Sequence, residues 1–406
     1  MGCDPTARHD LRRGFARHWT LDPTVTFLNH GSFGACPEAV LAEQSRLRAE
    51  LERQPVRFLS REYEGRLDAA RASLAAFVGA DAEDLVFVNN ATTGVNAVLR
   101  SLRFAPGDEL LTTDHEYNAS RNALEFVARR DGATVVVAEA PFPLASPDEF
   151  VDAVLARVTA RTRLALLDHV TSQTGLLLPI ERLAAEMAAR GVELLVDGAH
   201  GPGMVPLDLR SLGAPYYTGN CHKWLCAPKG AAFLWVRRDR QARIRPCVTS
   251  HGANSPRTDR SRFQLEFAWT GTDDPTPFLC VPAAIACLGS LLPSGWSGLM
   301  ARNRALALEA RRALCGALGV APPAPDAMLG SLAAVPLPDG PAGAPSTPLA
   351  GDPLERRLEE GHGIVCPIYP WPAHPRRLLR VAAQAYNTLD QYERLAAVLP
   401  RELASL

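Results

Sequence analysis

Lysine is nearly absent from this chain: of 43 basic residues only Lys223 and Lys229 are lysines, and the rest are arginine. Chemistry that needs an amine nucleophile therefore has two side chains to draw on. A surplus of one charge sign is also lacking, with 44 acidic residues giving a net charge of −1. That removes the electrostatic reason to expect nucleic acid or an anionic membrane as partner, and a small neutral or zwitterionic ligand fits better. No uninterrupted apolar run nears the ~18 residues that cross a bilayer. The stretch from Met1 to Arg13 is charged, without the apolar centre of a secretory signal, so the cytoplasm is the expected location. No CxxC pair or metal-ligand spacing joins the nine cysteines, Cys3, Cys36, Cys221, Cys226, Cys247, Cys280, Cys287, Cys315 and Cys366. Buried thiols are expected in place of disulfides or zinc, and no metal site is expected. A Walker motif and a GxGxxG are both missing, so nucleotide binding has no support.

What is present is 406 residues, 47% hydrophobic and 21% charged, the profile of an ordinary globular protein. At roughly 100–200 residues per domain this is two or three domains. Between residues about 70 and 240, strand-like and helix-like segments alternate, which is the pattern of a parallel sheet with crossover helices. Strands are expected at 85–88, 109–112, 134–137, 164–168, 193–196, 216–218 and 232–236, mostly short continuous apolar runs suited to a sheet covered on both faces. Helical periodicity marks 93–102, 120–130, 147–158 and 180–190. Beyond residue 271, the segment 281–318 reads as long helices and 321–352 as a connector rich in Pro, Ala and Gly. The end, 353–406, reads as helix, strand and helix, with a strand at 378–381.

Asp197 ends the run 193–196, and an acid at the carboxyl end of a parallel strand points into the crevice where α/β sheets bind ligands. The next strand leads into Cys221-His222-Lys223-Trp224, which holds the first of the two lysines. A carboxylate and a lysine on successive strand ends form either a simple ion pair or a Schiff-base lysine facing an acid that protonates a pyridine nitrogen. A phosphate cradle separates the two readings. After 85–88, Asn89-Asn90-Ala91-Thr92-Thr93-Gly94 enters a helix at once, so hydroxyls and free N–H groups gather at a helix N-terminus. A plain threonine N-cap is the other reading of those residues.

Taken in chain order, six segments carry a resemblance: Asn29-His30-Gly31-Ser32-Phe33-Gly34, Ala91-Thr92-Thr93-Gly94-Val95-Asn96, Asp114-His115-Glu116-Tyr117, Asp197-Gly198-Ala199-His200, His222-Lys223-Trp224, and Arg380-Val381 with Tyr386-Asn387-Thr388. The chain resembles class V aminotransferase-fold enzymes of the pyridoxal 5′-phosphate (PLP) fold type I, in particular the isopenicillin N epimerase-like branch. The likeness spans roughly residues 21 to 400. It implies an α/β fold, a large domain with a seven-stranded, mostly parallel sheet plus a smaller α+β C-terminal domain. The expected boundaries are 1–25 for an N-terminal segment packing with the small domain, 26–272 for the large PLP-binding domain, and 273–406 for the small one.

The resemblance implies that Lys223 is the Schiff-base lysine and shuttles the Cα proton of an amino-acid substrate. It implies that Asp197 pairs with the pyridinium nitrogen, His200 faces the ring oxygen, Tyr117 stacks on the ring, and Ser172 contacts a cofactor oxygen. Thr92, Thr93, Asn220 and His222 are implied for the phosphate. Thr272 is implied to reach the phosphate of a neighbouring subunit, which makes a homodimer. Arg380 is implied to clamp the substrate carboxylate, since a planar fork suits bidentate recognition, and Asn29 and His30 to line the substrate entrance. Lys229, between Pro228 and Gly230 in a turn, is the poorer Schiff-base candidate.

The same motif set serves epimerisation, β- or γ-elimination such as carbon–sulfur lysis, and transamination, so the resemblance fixes cofactor and substrate class better than outcome. Epimerisation is the first expectation. A persulfide-forming desulfurase is less favoured, because 250–268 contains no cysteine. A non-catalytic PLP-fold binding protein is the reading from a different class. The chain departs from the epimerase pattern at Ala382 and Ala383, where a serine is usual, and in the loop 370–375, both substrate-facing in the family.

Overall fold

The computed structural model describes residues 14–341 and 351–405. The charged N-terminal stretch with Cys3, the middle of the Pro-, Ala- and Gly-rich connector, and the last residue lie outside the described residues. Twelve strands form among the described residues: β1 (Thr26–Phe27), β2 (Leu85–Val88), β3 (Glu109–Thr113), β4 (Thr134–Ala138), β5 (Thr162–Asp168), β6 (Glu193–Asp197), β7 (Tyr216–Asn220), β8 (Ala232–Val236), β9 (Leu332–Leu337), β10 (Ile364–Val365), β11 (Ile368–Pro370) and β12 (Arg377–Ala382).

All seven strands expected between 85 and 236 form, and they join one sheet in the order β2-β8-β7-β6-β5-β3-β4. Pairing is parallel from β4 through β7, whereas β8 runs antiparallel to both β7 and β2. The continuous apolar runs have the cause expected of them: Leu111, Leu167 and Val196 enter the core on one face, and Leu110, Leu166 and Leu195 the core on the other. Alternate side chains along a strand point to opposite faces, so a strand covered twice has no polar side to show. Since β8 reverses direction, β2 again runs parallel to β7. The C-terminal ends of β2, β3, β5, β6 and β7 consequently share one rim.

Two sequence expectations need correction. The helix after β2 spans Ala91–Ser101, and its cap is Asn90, whose Oδ1 accepts from the Thr93 N–H at 2.8 Å. A threonine cap is thereby replaced by an asparagine cap, leaving the Thr92 and Thr93 hydroxyls at the first turn. The connector expected over 321–352 contains the buried strand β9, Leu-Ala-Ala-Val-Pro-Leu. Alanines and a proline disguise it, but Pro336 sits on an edge strand in the order β11-β12-β9, where a missing N–H is tolerated. Between the expected bounds 281–318, helices Val281–Gly289 and Gly295–Leu318 form with a break between them.

The antiparallel sheet β11-β12-β9 buries every residue of β12, and its register sets Arg380 opposite Ala334. The N-terminal residues close on this part of the chain. Strand β1 pairs with β10 in parallel, and the Trp19 ring packs edge-on against Tyr386 at 5.1 Å. Near residue 34 the backbone passes against the lysine-bearing turn. Gly34 has φ +70°, and a Cβ there would lie 2.0 Å from the His222 carbonyl oxygen, so only glycine permits the approach. Among the described residues no helix is long and apolar enough to cross a membrane.

Candidate active site

Strand β7 ends at Asn220, and the chain turns immediately through Cys221 and His222 to Lys223. The Asn220 side chain ties this turn to the phosphate-like cradle, its Oδ1 accepting from the Ala91 N–H at 2.8 Å. His222 donates Nδ1–H to the Ala231 carbonyl at 3.1 Å, because a carbonyl can only accept. Its Nε2 is therefore the ring nitrogen left for a ligand. Burial lowers the His222 pKa to about 4.

Lys223 Nζ lies 3.2 Å from His200 Nε2. On the far side of that imidazole, Trp224 Nε1–H donates to His200 Nδ1 at 3.1 Å. An indole only donates, so Nδ1 is the acceptor and Nε2 carries the proton of the neutral ring. Nε2–H thus faces the lysine nitrogen, and it can bond a neutral amine but not an ammonium. The charges move the amine in that direction. Burial first, and the Arg380 guanidinium second, lower Lys223 to about 8, against the opposing pull of Asp197 and Asp168. Burial, then Lys223 and Arg380, hold His200 well below its usual value.

Asp197, 2% exposed at the end of β6, accepts from Ser120 Oγ at 2.7 Å and from the Ala199 N–H at 3.1 Å. Burial raises its carboxyl above the ordinary range, while these donors and Lys223 pull it back. Tyr117 is 47% exposed. Its hydroxyl lies within the fields of Asp197, Tyr369 and Arg380, and burial raises its pKa. Asp168, and Glu116, which its motif carries without an assigned role, are buried beside Asp197, with one oxygen from each of the three carboxyls within 4.8 Å of the others. A signal for Asp168 existed: β5 and β6 each end in aspartate, and the register pairs the two residues.

Arg380 arrives from β12 and is 1% exposed. Its guanidinium donates to Asn29 Oδ1 at 3.2 Å, to Ser32 Oγ at 3.0 Å and to the Ser172 carbonyl, and it lies over the Tyr369 ring at 5.1 Å. Nε has no partner. Among the described residues no carboxylate pairs with this buried cation. Ser172 therefore meets Arg380 through its carbonyl and, at 3.5 Å, through its hydroxyl. Asn29 belongs with Arg380 as well, but His30 does not line an entrance. It is fully buried behind the lysine turn, donating Nε2–H to the Lys223 carbonyl at 3.0 Å while Nδ1 accepts from the Tyr386 hydroxyl at 2.8 Å. Ala382 and Ala383 are also turned inward, their N–H groups bonded to the Leu28 and Ser331 carbonyls.

Two residues stand apart from this crevice. Lys229 bonds the Gly34 carbonyl at 2.8 Å, which leaves Lys223 as the amine beside Asp197. Thr272 is exposed, in a loop whose Asp273 accepts from Asn89 Nδ2 at 3.4 Å.

A family model described as aminotransferase class-V matches residues 35–267. Isopenicillin N epimerase of Amycolatopsis lactamdurans is 40% identical over 394 residues, covering 94% of this chain and 96% of its own. A probable chloroplastic L-cysteine desulfhydrase of Arabidopsis thaliana is 31% identical over 413 residues, covering 95% and 84%. Among solved structures, a C-DES variant with glycine covalently linked to its PLP cofactor superimposes with a TM-score of 0.76 over 93% of this chain and 96% of that one, at 22% identity.

The coupling of Arg380 to Lys223 predicts a measurable shift. With Arg380→Met, removal of the positive neighbour raises the Lys223 pKa, so the alkaline midpoint for the rate of PLP loading onto apoprotein moves to higher pH. Arg380→Lys keeps the charge and leaves the midpoint in place. An unchanged midpoint in the methionine variant contradicts the electrostatic reading.

Proposed function

This chain belongs to the class V aminotransferase family and is a PLP-dependent enzyme, and from that premise we propose that it acts at the Cα of an amino acid or amino-acid-bearing metabolite, with epimerisation as the outcome. One observation carries the substrate class: Arg380 is a buried guanidinium with an unpartnered Nε and no carboxylate beside it among the described residues. A buried cation without a counter-ion is costly, and a bound α-carboxylate supplies one.

The side chains fit the cofactor. Lys223 would hold it through its amine, which the site makes easier to deprotonate. Asp197 would face the ring nitrogen, the His200 Nε2–H the ring oxygen, and Tyr117 the ring face. Thr92 with its N–H, Thr93 and His222 would take the phosphate, while Asn90 and Asn220 hold the Thr93 and Ala91 N–H groups and so fix that turn against the lysine strand. When bound there, the cofactor supplies an electron sink for negative charge developing at Cα. Lys223, lowered to about 8, is then suited to take a proton from Cα near neutral pH, and epimerisation follows where a proton returns to the opposite face of Cα. Arg380, fixed by Asn29, Ser32 and Ser172, would orient the carboxylate so that the Cα–H bond faces that amine.

The 40% identity to an epimerase over nearly the whole chain supports epimerisation. Elimination from a sulfur amino acid is the second reading, supported by the desulfhydrase likeness. A persulfide route would need a reactive thiolate, and burial pushes Cys221, Cys226 and Cys366 away from that state.

Proton NMR in D₂O with PLP-loaded protein and a panel of amino acids and small peptides separates these outcomes. Loss of the Cα–H signal with inversion of configuration is expected. Pyruvate with ammonia would replace epimerisation by elimination, and absence of exchange throughout would overturn action at Cα. We also infer a homodimer in which the exposed Thr272 donates to the partner's phosphate. Thr272→Ala then weakens PLP binding roughly tenfold, the effect of one lost bond to a charged group. A fully active monomer by light scattering contradicts it.

A further inference from the structure

Asp168 and Asp197 end the adjacent strands β5 and β6, Glu116 lies in the turn that follows the neighbouring β3, and the proposed mechanism uses only Asp197. The three carboxyl groups are 6%, 3% and 2% exposed, with one oxygen from each within 4.8 Å of the others. Carboxylates this close and this dry do not all ionise at neutral pH. The charged or titratable groups facing them are few. Lys223 acts on Asp168 and Asp197, while the phenols Tyr117 and Tyr217 lie within the field of Asp197. One ammonium, its pKa lowered to about 8, cannot balance three anions.

Hydrogen bonding decides where the negative charge settles. Asp197 receives two short donors, Ser120 Oγ and the Ala199 N–H, and both favour its ionised form. Glu116 receives the Thr112 hydroxyl at 3.4 Å and shares the Tyr117 backbone N–H with Asp168, and its Oε1 has no partner. Asp168 Oδ2 has none either. Burial and the neighbouring carboxylates push both of these acids well above their ordinary range.

We propose that Glu116 and Asp168 form a proton-bearing pair behind Asp197, two neutral carboxylic acids at neutral pH that confine the negative charge of the cluster to the one carboxylate facing the cofactor ring. They are positioning residues, acting through Asp197 and touching neither cofactor nor substrate. The inference rests on the reading of Asp197 as partner of the ring nitrogen. It goes beyond that reading by assigning a protonation state and a purpose to two buried acids that otherwise have none. As neutral neighbours they let Asp197 stay ionised; as anions they would compete with it for protons and spread the charge away from the ring.

Infrared spectroscopy of the PLP-loaded enzyme tests this directly. A protonated carboxylic acid has its own carbonyl stretch, which shifts in D₂O. That band is expected in the wild type at neutral pH and is expected to weaken in both Glu116→Gln and Asp168→Asn. Because each substitution mimics a neutral acid, the visible absorption of the bound cofactor and its affinity stay within about twofold of wild type. At alkaline pH the wild-type band fades and the cofactor absorption moves with it, whereas in the double variant that movement is absent. No acid band in the wild type overturns the proposal even where the variants fail to fold, as does a stoichiometric metal ion bound to the three carboxylates. A tenfold or greater loss of cofactor in the Gln and Asn variants overturns it too, by showing that ionised groups were required. Asp197→Asn tests the underlying reading separately: an unchanged cofactor spectrum in that variant refutes Asp197 as ring partner whatever the infrared result.

Discussion

Trp224 donates its indole N–H to His200 Nδ1 at 3.1 Å, and this bond orders the chemistry of the crevice. It forces the imidazole proton onto Nε2, 3.2 Å from Lys223, where it faces the amine as a donor. A lysine so placed, buried and under the influence of Arg380, is driven toward its neutral and nucleophilic form. The same Nε2–H is the donor that a cofactor oxygen would use in the amine's place. One indole therefore fixes the polarity of a chain of three groups, and it lies next to the lysine in sequence.

The second constraint is positional. The crevice is assembled from strand ends of the seven-stranded sheet and from one arginine of the three-stranded sheet. Arg380 reaches it because β12 is the middle strand, paired on both sides and buried along its length. The segment Asn29–Ser32 joins the two: Asn29 and Ser32 bond the guanidinium, and His30 bonds the Lys223 carbonyl from behind. Gly34 lets that segment lie against the lysine turn, since a side chain there would meet the His222 carbonyl. Lys223 and Arg380 are thus held at a fixed separation by a short stretch far from both in sequence.

Much of this was legible in the sequence, and the part that was not has definite causes. The seven central strands show because continuous apolar runs have one physical use in a sheet covered on both faces. Lys223 and Asp197 show because lysine is so scarce and because strand-end acids point into a crevice. Strand β9 did not show: alanines and Pro336 look like connector until a partner strand is known. The true environment of His30 was hidden for a related reason, since its bonds go to residues 223 and 386. Asp168 carries a strand-end signal of its own and Glu116 sits in the turn after β3, but their meaning depends on three strands being neighbours, which no local pattern states.

Which amine carries the cofactor decides the chemistry of the crevice. Borohydride reduction of the PLP-loaded protein, followed by peptide mass spectrometry, reports it in one step. A pyridoxyl mass increment on Lys223 alone, with Lys229 unmodified, is the predicted result. An increment on Lys229, or none on either lysine in protein that has bound the cofactor, would contradict the assignment of the crevice and the chemistry drawn from it.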